Sequence, residues 1–102
     1  MSDNEKKLHD ALFLQLIIQF QTSAMIGMGK LKNPITNNVE VDLDAAKLAI
    51  DMIDMLNEKT RGNLTEDEKR FITTVSRDLK LNYIVELDKA QKEKQSSKET
   101  PS

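Results

Sequence analysis

Residues able to do chemistry are few in this chain, and their spacing works against it. There is one histidine, His9, so any mechanism that needs an imidazole to move a proton beside a nucleophile has a single candidate. His9 falls in the first turn of a predicted helix, where an exposed helix-end histidine is the expected reading. No cysteine is present, which removes disulfides and thiolate metal sites and fits a reducing compartment. Asp44, Asp51, Asp54 and Glu58 recur at helical spacing and offer oxygen ligands of the kind a hard cation takes. Bundle metal sites, however, draw inward-pointing carboxylates from several helices, often in Glu-x-x-His pairs that this chain lacks. Here the acids stand opposite an apolar face and beside Lys47, as a solvated face would. Gly27-Met28-Gly29-Lys30 has part of a phosphate-loop pattern. Ala24, however, takes the place of its first glycine, Leu31 stands where Ser or Thr should hold magnesium, and the stretch closes a helix instead of opening one. No catalytic, metal-binding or cofactor-binding residue is predicted, and the chain reads as a non-enzyme.

Composition narrows the partners. Fifteen Lys plus Arg against 17 Asp plus Glu leave a net charge of -2, with both signs interspersed. Nucleic-acid binders show a concentrated basic stripe and aromatic stacking platforms, and the aromatics here are only Phe13, Phe20, Phe71 and Tyr83. Nucleic acid is therefore not an expected partner. Ser2, Asp3, Asn4 and Glu5 precede Lys6 and Lys7, unlike a secretory signal, so a cytoplasmic location is expected. Ala11 to Gly29 is a run of 19 residues without formal charge, nearly the length of a spanning helix. Gln15, Gln19, Gln21, Thr22 and Ser23 would then lie deep in lipid and no aromatic belt flanks them, so a buried protein helix is favoured over membrane insertion.

The elements that must position these residues follow from periodicity. A chain of 102 residues fits one small domain, which buries only about two-thirds of its unfolded surface. From about Lys6 to Lys30 the apolar residues cover roughly two-thirds of a helical circumference. Gly27, Gly29 and Asn33-Pro34 end that helix. A connection follows to about Val41, with Thr36-Asn37-Asn38 as turn chemistry and Ile35, Val39 and Val41 as material for a short hairpin. The second helix runs from an Asp42 cap to about Arg61, with Gly62 as its stop. Its apolar face is Leu43, Ala46, Ala49, Ile50, Met52, Ile53 and Leu56. Asn63-Leu64-Thr65 fits a glycosylation acceptor by pattern and a turn and cap by context. Thr65-Glu66-Asp67-Glu68 forms a capping box opening the third helix, whose stripe is Phe71, Ile72, Val75, Leu79, Tyr83 and Leu87. Residues 79–87 also alternate as a strand would, but a lone strand lacks a partner, so helix is retained. The expected architecture is all-α: a three-helix domain over residues 1–88, helical hairpins packed in a dimer, and a disordered polar tail over 89–102.

Phe13-Leu14, Gln21-Thr22-Ser23-Ala24, Asn33-Pro34, Val41-Asp42-Leu43, Met55-Leu56 and, most specifically, the run Glu58 to Thr65 resemble a bacterial family of short helical proteins. That family is known only as domain of unknown function eighteen forty-four. The resemblance spans about residues 10 to 87 and implies a bacterial cytoplasmic protein, while supplying no activity, ligand or catalytic residue.

Two functional classes remain. One is a helical interaction or self-association module, because Leu12, Leu16 and Phe20 occupy one side of the first helix while Leu14, Ile18 and Met25 face nearly the opposite way. Two neighbouring helices cannot easily cover both. The interface residues expected on this reading are Leu12, Phe13, Leu14, Ile17, Ile18, Gln21 and Met25, most simply in a homodimer or against another helical protein. The other is a small-molecule or metal binder or enzyme with a site between subunits, using Asp42, Lys59, Arg61 and Asn63, residues that equally serve as helix-end charges and turn formers.

Overall fold

The computed structural model describes the backbone of residues 1–99 and the side chains of residues 1–95. It contains three helices, α1 (Asp3–Gly27), α2 (Leu43–Lys59) and α3 (Glu66–Glu99), and no strand among the described residues. The all-α three-helix reading is thus the observed fold.

Local chemistry fixes each boundary. The Ser2 hydroxyl accepts from the Glu5 amide at 3.2 Å, and Asp3 and Glu5 place negative charge at the positive end of α1, so the helix begins earlier than the apolar pattern suggests. It ends in a Schellman motif. Gly29 adopts φ +78°, its N–H donates to the Ile26 carbonyl at 3.0 Å, and the Lys30 N–H donates to that of Met25 at 2.9 Å. The expected hairpin is reduced to one antiparallel bridge, Asn33 to Asn38. Asn33 builds the turn itself: its Oδ1 accepts from the Ile35 amide at 2.9 Å. Ile35, Val39 and Val41 stay exposed, so no packing rewards extending the ladder. Asp42 caps α2 by accepting from the Ala45 amide at 3.1 Å, and Gly62 at φ +82° follows its end. The capping box of α3 forms in both directions. The Glu68 amide donates to the Thr65 hydroxyl at 3.1 Å, and the Thr65 amide donates to the Glu68 carboxylate at 2.8 Å.

The helices run up, down and up. α1 and α2 approach closely through small residues: a Cβ on Gly27 would sit 2.7 Å from the Asp42 carbonyl oxygen and 2.9 Å from the Ala46 nitrogen. Ala24, Ala46 and Ala49 line the same seam, and Ile17, Met28, Ile53 and Ile72 are the largest fully buried side chains. Ile72, Val75 and Leu79 complete the core from α3, with Phe13, Phe20, Leu56, Phe71 and Tyr83 packed around it.

α3 joins this hairpin through polar links. The Ser76 hydroxyl donates to Asp54 Oδ1 at 2.5 Å, and Lys80 Nζ lies 2.7 Å from Asp54 Oδ2. Burial pushes the Asp54 carboxyl up, but the hydrogen bonds from Lys80 and Ser76 and the Lys80 charge outweigh it and hold the group below its ordinary range. At the far end, Lys30 Nζ meets Glu86 Oε1 at 2.7 Å. The hydrogen bond from Lys30 lowers the Glu86 carboxyl against a smaller opposing effect of desolvation, with help from the Lys30 charge and from Lys89.

α3 continues to Glu99, into the polar segment expected as the tail. The segment Lys89 to Lys94 is rich in good helix formers, and Lys92 pairs with Asp88 at 3.0 Å in an i,i+4 contact. Residues 100–102 lie outside the described residues. From residue 91 to 95 every side chain is exposed, so this stretch of the helix projects from the core.

The result is elongated and thin, with Cα extents of 68 × 28 × 16 Å and a radius of gyration of 17.2 Å. A compact chain of this length would have about 13 Å. Its accessible surface of 7641 Å² exceeds the roughly 5,800 Å² expected of a compact monomer of this mass. The projecting end of α3 contributes to that excess.

Candidate interaction surface

Positions considered for chemistry do not converge. His9 is exposed, and no group of three or more His, Cys, Asp or Glu able to hold a metal ion occurs among the described residues. Asp51 is occupied by Lys47 at 2.9 Å, and the hydrogen bond and charge of Asp51 raise the Lys47 ammonium above its ordinary range. In the phosphate-loop-like stretch, the amides of Met28, Gly29 and Lys30 all donate to carbonyls of α1, leaving none of them for a phosphate. Asp42 stands at the start of α2 and Lys59 at its end, 17 residues later, roughly 25 Å apart along the axis. Within one chain, Asp42 cannot share a site with Lys59, Arg61 and Asn63. Arg61 is engaged by Glu58 at 2.6 Å, and it borders a polar notch of about 350 Å³ with Asn57, Glu66, Lys69 and Thr73.

The residues expected at an interface separate into two groups. Ile17 is 0% exposed, enclosed by the chain's own core, and so has no surface to give a second chain. Phe13 and Met25 pack on that core and are half-buried, as is Gln21. Leu12 and Ile18 are exposed and Leu14 is half-buried. The physical reason is the direction of the covered stripe: Phe13, Ile17, Phe20 and Ala24 follow one another at spacings of three and four and meet α2 and α3.

Two apolar features flank that stripe. Leu14 and Ile18, with Phe71 of α3, line a groove of about 400 Å³ whose rim carries Asp10, Thr65 and Asp67. On the other flank Leu12 and Leu16 stay exposed, and so do Leu48, Met52 and Met55 of α2. Antiparallel pairing from the Gly27 to Ala46 contact sets Leu16 near the level of Met55 and about a turn and a half from Met52 along the seam. Helical spacing puts all five on the side of the hairpin away from α3, with Leu12 and Leu48 toward its two ends. Leu48 and Met55 stand outside the apolar face read from periodicity. Their spacing to Met52, four before and three after, is the signal that marks them.

The family model described as Domain of unknown function (DUF1844) matches residues 10–86. The chain belongs to this family. No curated protein and no solved structure matches it. The family's span coincides with the packed part of the molecule: residues 1–9 are all exposed, and Glu86, where the match ends, makes the last ion pair linking α3 to the end of α1. No helix among the described residues is long and apolar enough to cross a membrane.

Proposed function

We propose that this member of the DUF1844 family is a non-enzymatic, cytoplasmic helical interaction module that self-associates, with α1 at the centre of the contact. The observation that carries the reading is the outer face of the α1–α2 hairpin, where Leu12, Leu16, Leu48, Met52 and Met55 are all exposed. Scattered exposed leucines are ordinary, but five large apolar side chains along one side of a thin molecule mark an association site. A closed two-fold pairing presents the same patch to itself, so one face satisfies both copies. Sedimentation equilibrium tests it. Leu16→Glu and Met52→Glu lower the assembly state while circular dichroism retains the helical signal, and Leu14→Glu and Ile18→Glu, on the opposite flank, report whether the groove beside α3 shares in the contact. Unchanged assembly in all four variants would refute the proposal.

A second reading, small-molecule binding, has the polar notch at the α2–α3 turn in its favour. Arg61 and Lys69 there would suit a small anion. Thermal-shift screening against metabolites and metal ions tests this, with a saturable stabilisation as the supporting result.

A further inference from the structure

The outer face of α3 carries a separate pattern. Leu81, Ile84 and Val85 stand at spacings of three and four, 59%, 62% and 52% exposed, on the side opposite Leu79 and Tyr83. One turn before them is Arg77 and one turn after is Asp88, with side chains 64% and 58% exposed; each has a neighbour on its own helix, Asp78 at 3.5 Å and Lys92 at 3.0 Å, in solvent-exposed pairs that a partner chain can exchange. An apolar patch with a cation at one end and an anion at the other is complementary to a copy of itself turned end over end. We propose that the outer face of α3 is a second self-association surface, on which two copies pack antiparallel about a two-fold axis between residues 82 and 83.

The register follows from the charges. With that axis, Leu81 of each copy meets Ile84 of the other, and Arg77 of each meets Asp88 of the other. Further out, Thr74 falls opposite Gln91 and Arg70 opposite Gln95, so between Arg70 and Gln95 no like charges oppose one another. A parallel arrangement would set Arg77 on Arg77 and Asp88 on Asp88. The length of α3 points to the same occupant. Its 34 residues span roughly 51 Å, and the stretch beyond Ala90 has no apolar support of its own, a poor prospect for an isolated helix. In the antiparallel pair that stretch lies along the first half of the other copy's α3. This surface shares no residue with the α1–α2 face. A chain with both would assemble as a dimer of dimers when the two axes cross.

The absence of cysteine makes the register directly testable. Chains carrying Arg77→Cys and chains carrying Asp88→Cys are mixed and mildly oxidised, both in the wild-type background and with Leu16→Glu present to disable the α1–α2 face. The proposal expects mixed disulfides well above either variant alone, in both backgrounds. Arg77→Asp and Asp88→Arg should each weaken association in the Leu16→Glu background by roughly tenfold, and the double exchange should restore it. Absence of mixed disulfides, equal cross-linking in all samples, Arg77→Cys joining chiefly to itself, or no rescue by the double exchange would overturn it. Persistence of the mixed disulfide with Leu16→Glu separates this surface from the proposed hairpin contact.

Discussion

The α1–α2 hairpin and the α2–α3 joint hold helices together in opposite ways. In the hairpin, Gly27, Ala24, Ala46 and Ala49 let two backbones approach until the Asp42 amide donates directly to the Gly27 carbonyl at 2.8 Å. The seam is lined by buried small residues, and its energy comes from burial and close contact. Between α2 and α3, larger side chains (Ile50, Ile53, Ile72, Val75 and Leu79) make up the shared core, and beside them Asp54 is shared between Ser76 and Lys80. The first arrangement tolerates no added atom. The second depends on protonation state and on the cap that starts α3.

The hairpin is the easier of the two to break. Gly27→Ala should destabilise the fold by about 2 kcal/mol, because the new methyl meets backbone atoms that cannot move aside. Helix propensity alone predicts the reverse sign for this change, a gain of about 1 kcal/mol. Chemical denaturation therefore decides whether the close approach is real.

Thr65→Ala, which removes one arm of the capping box, should cost about 1 kcal/mol in the same assay, more than exposed substitutions elsewhere on α3.

Asp54 sharpens the comparison through pH. Its carboxyl lies below its ordinary value of 3.8 in the fold. The contribution of its ionised form is thus present above the unfolded-state value and is lost as pH falls through the lower folded value. The stability difference between wild type and Asp54→Asn should be constant at neutral pH, should shrink on acidification below that ordinary value, and should vanish at lower pH still. The corresponding Gly27→Ala difference should not track this titration.

The smallest effect is expected at the projecting end. Deleting Lys92 to Ser102 should move the unfolding midpoint by less than about 2 °C when measured below the concentration of association, since the described side chains there bury almost nothing.

How much of this was legible in the sequence follows from how local each cause is. The capping box at Thr65 and Glu68 and the Asp42 cap involve residues three apart, so spacing alone revealed them. The inward stripe from Ile72 to Tyr83 was equally plain, and the competing strand alternation over 79–87 lost because nothing in the chain could pair with it. The Ser2 cap extended α1 beyond its apolar pattern. The helical run to Glu99 follows from propensity and from the Asp88 to Lys92 pair, where low apolar content suggested disorder. The candidate surface was half legible. The two-sided apolar character of α1 predicted one open flank, whereas Leu12 on one flank and Ile18 on the other are both exposed. Ile17 was misplaced because its burial depends on where α2 and α3 sit. Leu48 and Met55 were missed because they fall outside the stripe that α2 buries, and only the placing of α1 along that stripe shows which side of α2 stays open.

The central claim is that the open face of the hairpin is an association surface, and the mass in solution tests it most directly. Static light scattering at micromolar concentration should give at least twice the chain mass of 11.6 kDa, falling in the Leu16→Glu, Met52→Glu double variant with helical content retained. A wild-type mass of 11.6 kDa with the helices intact would contradict it.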